Sequence, residues 1–371
     1  MRTRLIACAA AAVLAAPIYA QEKTPYNPEA ESESIETADG AKLQGIFYKG
    51  NPTKPKNNSC VLVIQAYKSA IVPGKGLDDL SKTIAAEGYH VLQFALRGHG
   101  STPTDVVPSE FWKYKHNSDL VSGASKSPPK QTIVLKDFRG DGREYFPYLV
   151  NDVMAARVHL DRKNDNGQVN TSSVYLVGVG DAVNLGMLYT AAEWYREAKK
   201  PNLPLAFEPK YIDPRLPLQD TEVAGKDVAG AVWISPARST GMSDSAVRAF
   251  VSKYAVRFRE ETPMLFINDE KDAKSKAASK FYFNEVLVAN PRAGSKLVKL
   301  QQTFHRELKP NGSSTPLVGV DLIGKKTGLE EMVTDFLGKV HEERKNKPPI
   351  PQRGYTKPLF INPQLFGVGQ S

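Results

Sequence analysis

Residues 173–186 read Ser-Val-Tyr-Leu-Val-Gly-Val-Gly-Asp-Ala-Val-Asn-Leu-Gly. A short apolar strand over 173–177 runs into a tight turn of small residues, and an apolar helix through Met187, Leu188 and Ala191 follows. Strand, sharp turn and helix in this order lift the residue at the apex clear of a sheet. Matching small residue to small residue, Gly178 and Ala182 flank an apex occupied by Gly180. Glycine has no side chain, so the apex carries no reactive atom. A shifted register puts the Asp181 carboxylate there, but Val179 and Val183 then flank it. Two β-branched residues fit badly where strand and helix pass close together.

Outward from this turn, strands and helices alternate. Glu33 to Lys49 alternates around Asp39-Gly40, a hairpin signal. Cys60 to Ile64 is a wholly apolar run, as a buried parallel strand requires. A helix over 76–87 closes at Gly88, and His90 to Ala95 forms the next strand. Helical spacing of Val150, Val153, Met154 and Val158 marks 149–162. Strands at 228–234, 264–268 and 296–300 and helices at 275–289 and 328–343 complete the pattern. Such alternation predicts a mainly parallel sheet covered on both faces. Two long connections interrupt it, residues 101–148 and the proline-rich 200–226, and connections of that length are usually functional or mobile. From residue 345 to 371 a Pro-rich tail follows, expected to lie along the surface.

Residues 1–20 read as a secretory signal peptide. Arg2 and Arg4 form the positive start, Leu5 to Ala16 the apolar core, and Pro17-Ile18-Tyr19-Ala20 the cleavage site. That core is shorter than the roughly 20 apolar residues a membrane span takes, and no later segment approaches it. The expectation is an exported chain, periplasmic or secreted, with the Ala-rich signal pointing to a bacterial source. Removing the signal takes away Cys8 and leaves Cys60, so an exported fold must rest on packing and not on disulfides. Net charge is +9 for the whole chain, and losing Arg2 and Arg4 leaves +7. The excess is spread thinly, with runs at 271–280 and 339–347, and no aromatic-interleaved basic motif marks a nucleic-acid surface.

The strand at His90 continues into Leu96-Arg97-Gly98-His99-Gly100-Ser101, which resembles the D-x-R-G-H-G-x-S loop of α/β hydrolases. With the elbow at 178–182 and the order of elements, the resemblance covers about residues 33–343 and leans toward the dienelactone-hydrolase and acyl-peptidase-like branches. It implies a three-layer α/β-hydrolase sandwich with a mainly parallel sheet, an N-terminal antiparallel hairpin and insertions, spanning 21–344. It also implies a nucleophile at position 180, an acid after the strand at 264–268, matched by Asp272 with Asp269 and Glu270 nearby, and a histidine after the last strand, matched by His305. The oxyanion-type amides would be those of Asp181 and of Ala66 or Tyr67. A negative Asp181 side chain nearby opposes an oxyanion unless it points to solvent. His99 reads as a structural residue beneath the site.

No His pair has metal-ligand spacing, and the calcium-like stretch Asp161 to Gly167 is spoiled by Lys163 and a glycine one place late, so no metal or cofactor is expected. Gly178-x-Gly180 lacks the third glycine of a dinucleotide turn. Three functional readings stand. The first is a non-catalytic protein of this fold that binds a small molecule or an envelope component. The second is an atypical ester or acyl hydrolase in which an Asp272–His305 dyad activates water, or a displaced serine, Ser235 or Ser69, reaches the histidine. The third is an envelope scaffold acting through its basic surface and tail. Fold alone decides none of these, because function lives in the site.

Overall fold

The computed structural model describes residues 26–69, 74–196, 223–238, 241–254, 257–288, 303–310, 314–325, 327–351, 353 and 359–368. The expected signal peptide, the strand at 296–300 and most of the 200–226 connection lie outside these residues.

The hairpin forms as β1 (Ala30–Glu36) and β2 (Ala41–Tyr48), paired antiparallel. Then come β3 (Ser59–Ile64), α1 (Leu77–Ala86) and β4 (His90–Phe94). The connection at 101–148 is built of β5 (Thr104–Val106), α2 (Pro108–Phe111), α3 (Lys115–Leu120) and β6 (Thr132–Ile133). After it follow α4 (Val150–Asp165), β7 (Asn170–Val179), α5 (Ala182–Tyr195), β8 (Val228–Ile234), α6 (Asp244–Tyr254), α7 (Phe258–Glu261), β9 (Met264–Asp269), α8 (Ala273–Phe281), β10 (Thr303–Leu308) and α9 (Leu329–Glu342).

The strands order β10-β9-β8-β7-β3-β4-β2-β5-β6, with β1 on β2. From β4 to β10 every pairing is parallel, while β2 runs antiparallel to β4. The exchange of β3 and β4, with β2 antiparallel beyond them, is the strand order of the α/β-hydrolase sandwich. The connection at 101–148 returns to the sheet: β5 pairs with β2 and β6 with β5.

Each strand's alternation sorts its side chains into two cores. Leu62, Leu176, Trp233 and Phe266 face α4, α5, α6 and α8. Val63, Tyr175, Val232 and Ile267 face α1 and α9. All ten residues of β7 are buried; it lies mid-sheet, and its second half, 174–179, is the apolar run such a position requires. Trp233 of β8 explains two glycines of the opening stretch. A Cβ on Gly178 would come within 2.7 Å of the indole, and one on Gly186 within 2.2 Å. Strand β7 and helix α5 therefore close over the indole only because both positions lack a side chain.

The described part of the tail is tied to the domain by side-chain hydrogen bonds. Lys347 O accepts from Asn57 Nδ2 (2.7 Å) and Asn170 Nδ2 (2.9 Å), and Ile350 O accepts from Asn164 Nδ2 (2.8 Å). Asn151 pairs with both backbone groups of Ile361, accepting its N–H at 2.6 Å and donating to its carbonyl at 3.0 Å. Ile361, Phe366 and Val368 are buried in the same core as α4 and α5. Side-chain amides satisfy a tail backbone that has no ladder of its own, while Lys345, Asn346, Pro348 and Pro349 stay exposed.

Candidate functional site

Ligand sites in open parallel sheets form at the carboxyl ends of the strands. Here that edge gathers the ends of β3, β7, β8 and β9. Gly180 follows β7 with φ +62, the left-handed region glycine enters freely and other residues enter at a cost. Its N–H donates to Ile234 O (2.9 Å), and its carbonyl accepts from Ala237 N (2.9 Å), so the turn is tied to the exit of β8. Among the described residues a Cβ on Gly180 would meet a single neighbour within 4 Å, Ala66 Cβ at 3.3 Å. The apex thus has the shape of an elbow, is half-buried and carries no functional group.

The loop after β3, Gln65 to Lys68, faces this apex. Tyr67 N–H donates to Asp181 Oδ1 at 2.8 Å. Burial raises the Asp181 carboxyl to about 6, against the opposing pull of the Tyr67 N–H, its own N–H and the Lys68 charge. The Tyr67 amide, one of those expected to bind an oxyanion, is therefore taken by the Asp181 carboxylate. The aspartate points inward, not to solvent. Ala66 contributes its Cβ to the rim.

Tyr67 is itself held. Its ring lies 4.6 Å from the His99 ring and 5.5 Å from that of Phe146, measured between centroids. Its hydroxyl donates to Asp141 O at 2.8 Å, and burial pushes the phenol up to about 12. The connection at 101–148 thus closes down on the oxyanion loop through Asp141 and Phe146. His99 Nδ1 lies 2.6 Å from Arg97 O; a carbonyl only accepts, so Nδ1 carries the proton. Burial lowers His99 to about 4, which keeps it neutral and structural.

Sequence reasoning missed what anchors that loop. Arg97 is fully buried. It donates to Asp152 Oδ1 from Nε (2.7 Å) and to Asp152 Oδ2 from its backbone N–H (2.8 Å), and it also pairs with Asp39 in the β1–β2 turn. Burial alone would raise Asp39, but the Arg97 charge with bonds from His116, Arg97 and Asn117 holds it well below the usual carboxylate range. The sequence singled out the Arg97 loop and the Asp39-Gly40 turn separately, and nothing local joined them.

The expected dyad is not assembled. Asp272 caps α8, accepting from Lys274 N and Ser275 N (3.1 Å each) and from Ser275 Oγ (2.5 Å). His305 does not follow the last described strand; it is the third residue of β10, opposite Phe266. Three residues separate it from the strand's end at Leu308, about 10 Å at 3.3 Å per residue. His305 Nε2 lies 2.7 Å from Asn268 Oδ1, and burial lowers its pKa. Neither a hydrogen bond nor an ion pair joins Asp272 to His305. Asp269, the near miss, accepts from Lys271 N (2.8 Å) and Leu317 N (2.7 Å), tying down the chain after β10.

The displaced-serine candidates fare similarly. Ser235 has φ +42 at the end of β8, and its Oγ is buried without a partner, the residue being 1% exposed. Ser69 is half-buried, its amide closing a turn onto Ala66 O at 3.1 Å. Neither is bonded to His305. Among the described residues no three His, Cys, Asp or Glu side chains gather into a metal site, and no helix is long and apolar enough to cross a membrane.

No protein-family model matches the chain, and no curated protein matches it. Among solved structures it is similar to esterase Pf2001 of Pyrococcus furiosus, at 14% identity over 84% of this chain and 93% of that one, with a TM-score of 0.45. It is similar to EstE1, a thermostable carboxylesterase cloned from a metagenomic library, at 13% identity over 86% of this chain and 90% of that one (TM-score 0.45). A hypothetical protein of Pseudomonas aeruginosa is 11% identical over 84% of this chain and 94% of its own (TM-score 0.46). By its strand order and layering the chain has the α/β-hydrolase-type sandwich, and its likeness to these three proteins extends to the fold alone.

Proposed function

We propose that this chain is an exported, non-catalytic protein of α/β-hydrolase fold that uses the former substrate edge of its sheet to bind a ligand or envelope partner. The observation that carries the reading is the Asp181 carboxylate seated on the Tyr67 amide beside a side-chain-free Gly180. Acyl transfer at such an edge needs a nucleophile, a base within hydrogen-bond reach, and donors free to receive the oxyanion. The apex supplies no nucleophile, His305 is bonded to Asn268, and the Tyr67 amide is taken by an internal anion. Export rests on the sequence of residues 1–20.

The alternative of hydrolysis by a displaced serine draws no support from Ser235, whose hydroxyl is sealed from any substrate. A scaffold acting through a free tail draws none from Ile361, Phe366 and Val368, which are buried in the core. The reading is tested with the p-nitrophenyl butyrate assay and a fluorophosphonate probe on the full chain. It expects no turnover above buffer and no covalent adduct by mass spectrometry. An adduct on any serine, or turnover lost in His305→Ala, overturns it.

A further inference from the structure

Among the described residues the sheet ends at β1, β6 and β10, and these edges are not alike. Strand β6 is two residues long, and β1 carries Glu31 and Glu33, which pair with Lys49 and Lys163. Short or charged edges are the usual guard against pairing with another chain. Strand β10 is six residues long, bears charges of both signs in Arg306 and Glu307, and leaves the Phe304 ring 38% exposed. Glu270 N–H donates to Leu308 O at 2.9 Å, so Phe304, Arg306 and Leu308 turn their backbone groups to β9. The backbone groups of Thr303, His305 and Glu307 therefore point to the open side. Arg306 Nη1 donates to His305 O at 3.0 Å, which leaves that carbonyl a second lone pair. Beside this edge, β10 and α9 flank a groove of about 310 Å³. The Phe304 ring stands edge-on to Phe336 there, 6.3 Å between centroids, and Arg306, Glu331, Met332 and Asp335 also line the groove. Glu331 and Asp335 form no ion pair among the described residues.

We propose that β10 is the docking edge for a second copy of this chain, paired antiparallel about a twofold axis through His305, so that the two sheets run on as one. In strand addition the main-chain hydrogen bonds supply affinity and the side chains set the register. Centring on His305 places Thr303 opposite Glu307 of the second copy and engages all the outward backbone groups of the strand. Centring on Phe304 leaves Glu307 unpaired. Centring on Arg306 leaves Thr303 unpaired and sets two guanidinium groups against each other. With His305 on the axis, Phe304 lies opposite Arg306 of the second copy, a cation–π contact made in both directions. The ring already takes a guanidinium in this way, its own Arg306 lying 5.8 Å from the centroid. The incoming cation arrives on the α9 side, where Glu331 and Asp335 supply negative charge. His305, which meets its own copy, is held on Asn268, and burial lowers its pKa, so the two rings meet uncharged at neutral pH.

The test is sedimentation velocity of the full chain over a range of micromolar concentrations, with circular dichroism to report folding. The wild type should show a concentration-dependent equilibrium between monomer and dimer. Glu307→Pro removes an N–H that faces the open side, where an edge strand tolerates proline, and Phe304→Asp removes the ring. Each should weaken the dimer at least about tenfold, the scale of one or two lost hydrogen bonds or of one cation–π contact. His305→Cys should crosslink to its own copy under mild oxidation, because residues directly opposite in a hydrogen-bonded pair have Cα atoms about 5.5 Å apart. Should either weakening substitution fail to fold, that crosslink carries the test alone. A chain that stays monomeric at every concentration, a dimer indifferent to both substitutions in folded protein, or a dimeric His305→Cys that does not crosslink would overturn the inference.

Discussion

His305 Nε2 sits 2.7 Å from Asn268 Oδ1, across two adjacent parallel strands, and makes no hydrogen bond or ion pair with Asp272. The pair is a cross-strand polar link at the edge of the sheet. His305→Ala should therefore leave any residual ester hydrolysis unchanged. It should cost about 1 kcal/mol of stability, the net worth of one such hydrogen bond, in urea unfolding. A loss of turnover together with unchanged stability would restore a catalytic role to the histidine.

Restoring the missing hydroxyl should not restore chemistry. In Gly180→Ser the new Cβ meets Ala66 Cβ at 3.3 Å and adopts φ +62, which costs about 1–2 kcal/mol. His305 is bonded to Asn268 within β10 and the His99 Nδ1 is tied to Arg97 O, so neither is arranged as the serine's base. The variant should melt earlier than wild type and stay silent toward p-nitrophenyl butyrate; slow turnover would mean that a base lies closer than His305.

The closure of β7 and α5 over Trp233 predicts a large penalty at a position far from any ligand. Gly186→Ala puts a methyl group 2.2 Å from the indole and should destabilise by roughly 1–3 kcal/mol through overpacking. Replacing Trp233 by Leu in the same chain should recover part of that loss, measured as a double-mutant cycle in urea.

Asn151 makes two hydrogen bonds to one tail residue, and both are buried. Asn151→Ala strands the Ile361 N–H and carbonyl and should cost about 2–4 kcal/mol. Differential scanning calorimetry should show a single lowered transition, because the tail belongs to the main core.

The raised pKa of Asp181 fixes the sign of a pH effect. Near pH 4 to 6 the native state holds this proton while the unfolded state has released it. The contribution of Asp181 to stability therefore falls as pH rises from about 4 to about 6. The stability of Asp181→Asn relative to wild type should grow across that window and then level off, as read from urea midpoints at each pH.

The central architecture was legible because its strands are buried on both faces and read as uninterrupted apolar runs, as at 60–64 and 228–234. The apex glycine was legible because the spacing of small residues around it reflects a steric demand. The sequence was less informative where partners are distant or periodicity is absent. Strand β10, Thr-Phe-His-Arg-Glu-Leu, is an edge strand with a polar outer face, so its histidine looks like a loop residue. Asp272 precedes Ser275 by three places, which is as good a helix-cap signal as a catalytic-acid signal, and the cap is what forms. The pairing of Arg97 with Asp39 and Asp152 spans 58 and 55 residues, and no local pattern encodes it.

Because Phe366 and Val368 fill the same core as the helices flanking the elbow, that core cannot be completed before residues 361–368 have been made. A ribosome-tethered chain lacking those residues keeps an unfilled hydrophobic cleft and unpaired asparagines. Segment 361–368 is thus needed before the chain can reach its native state.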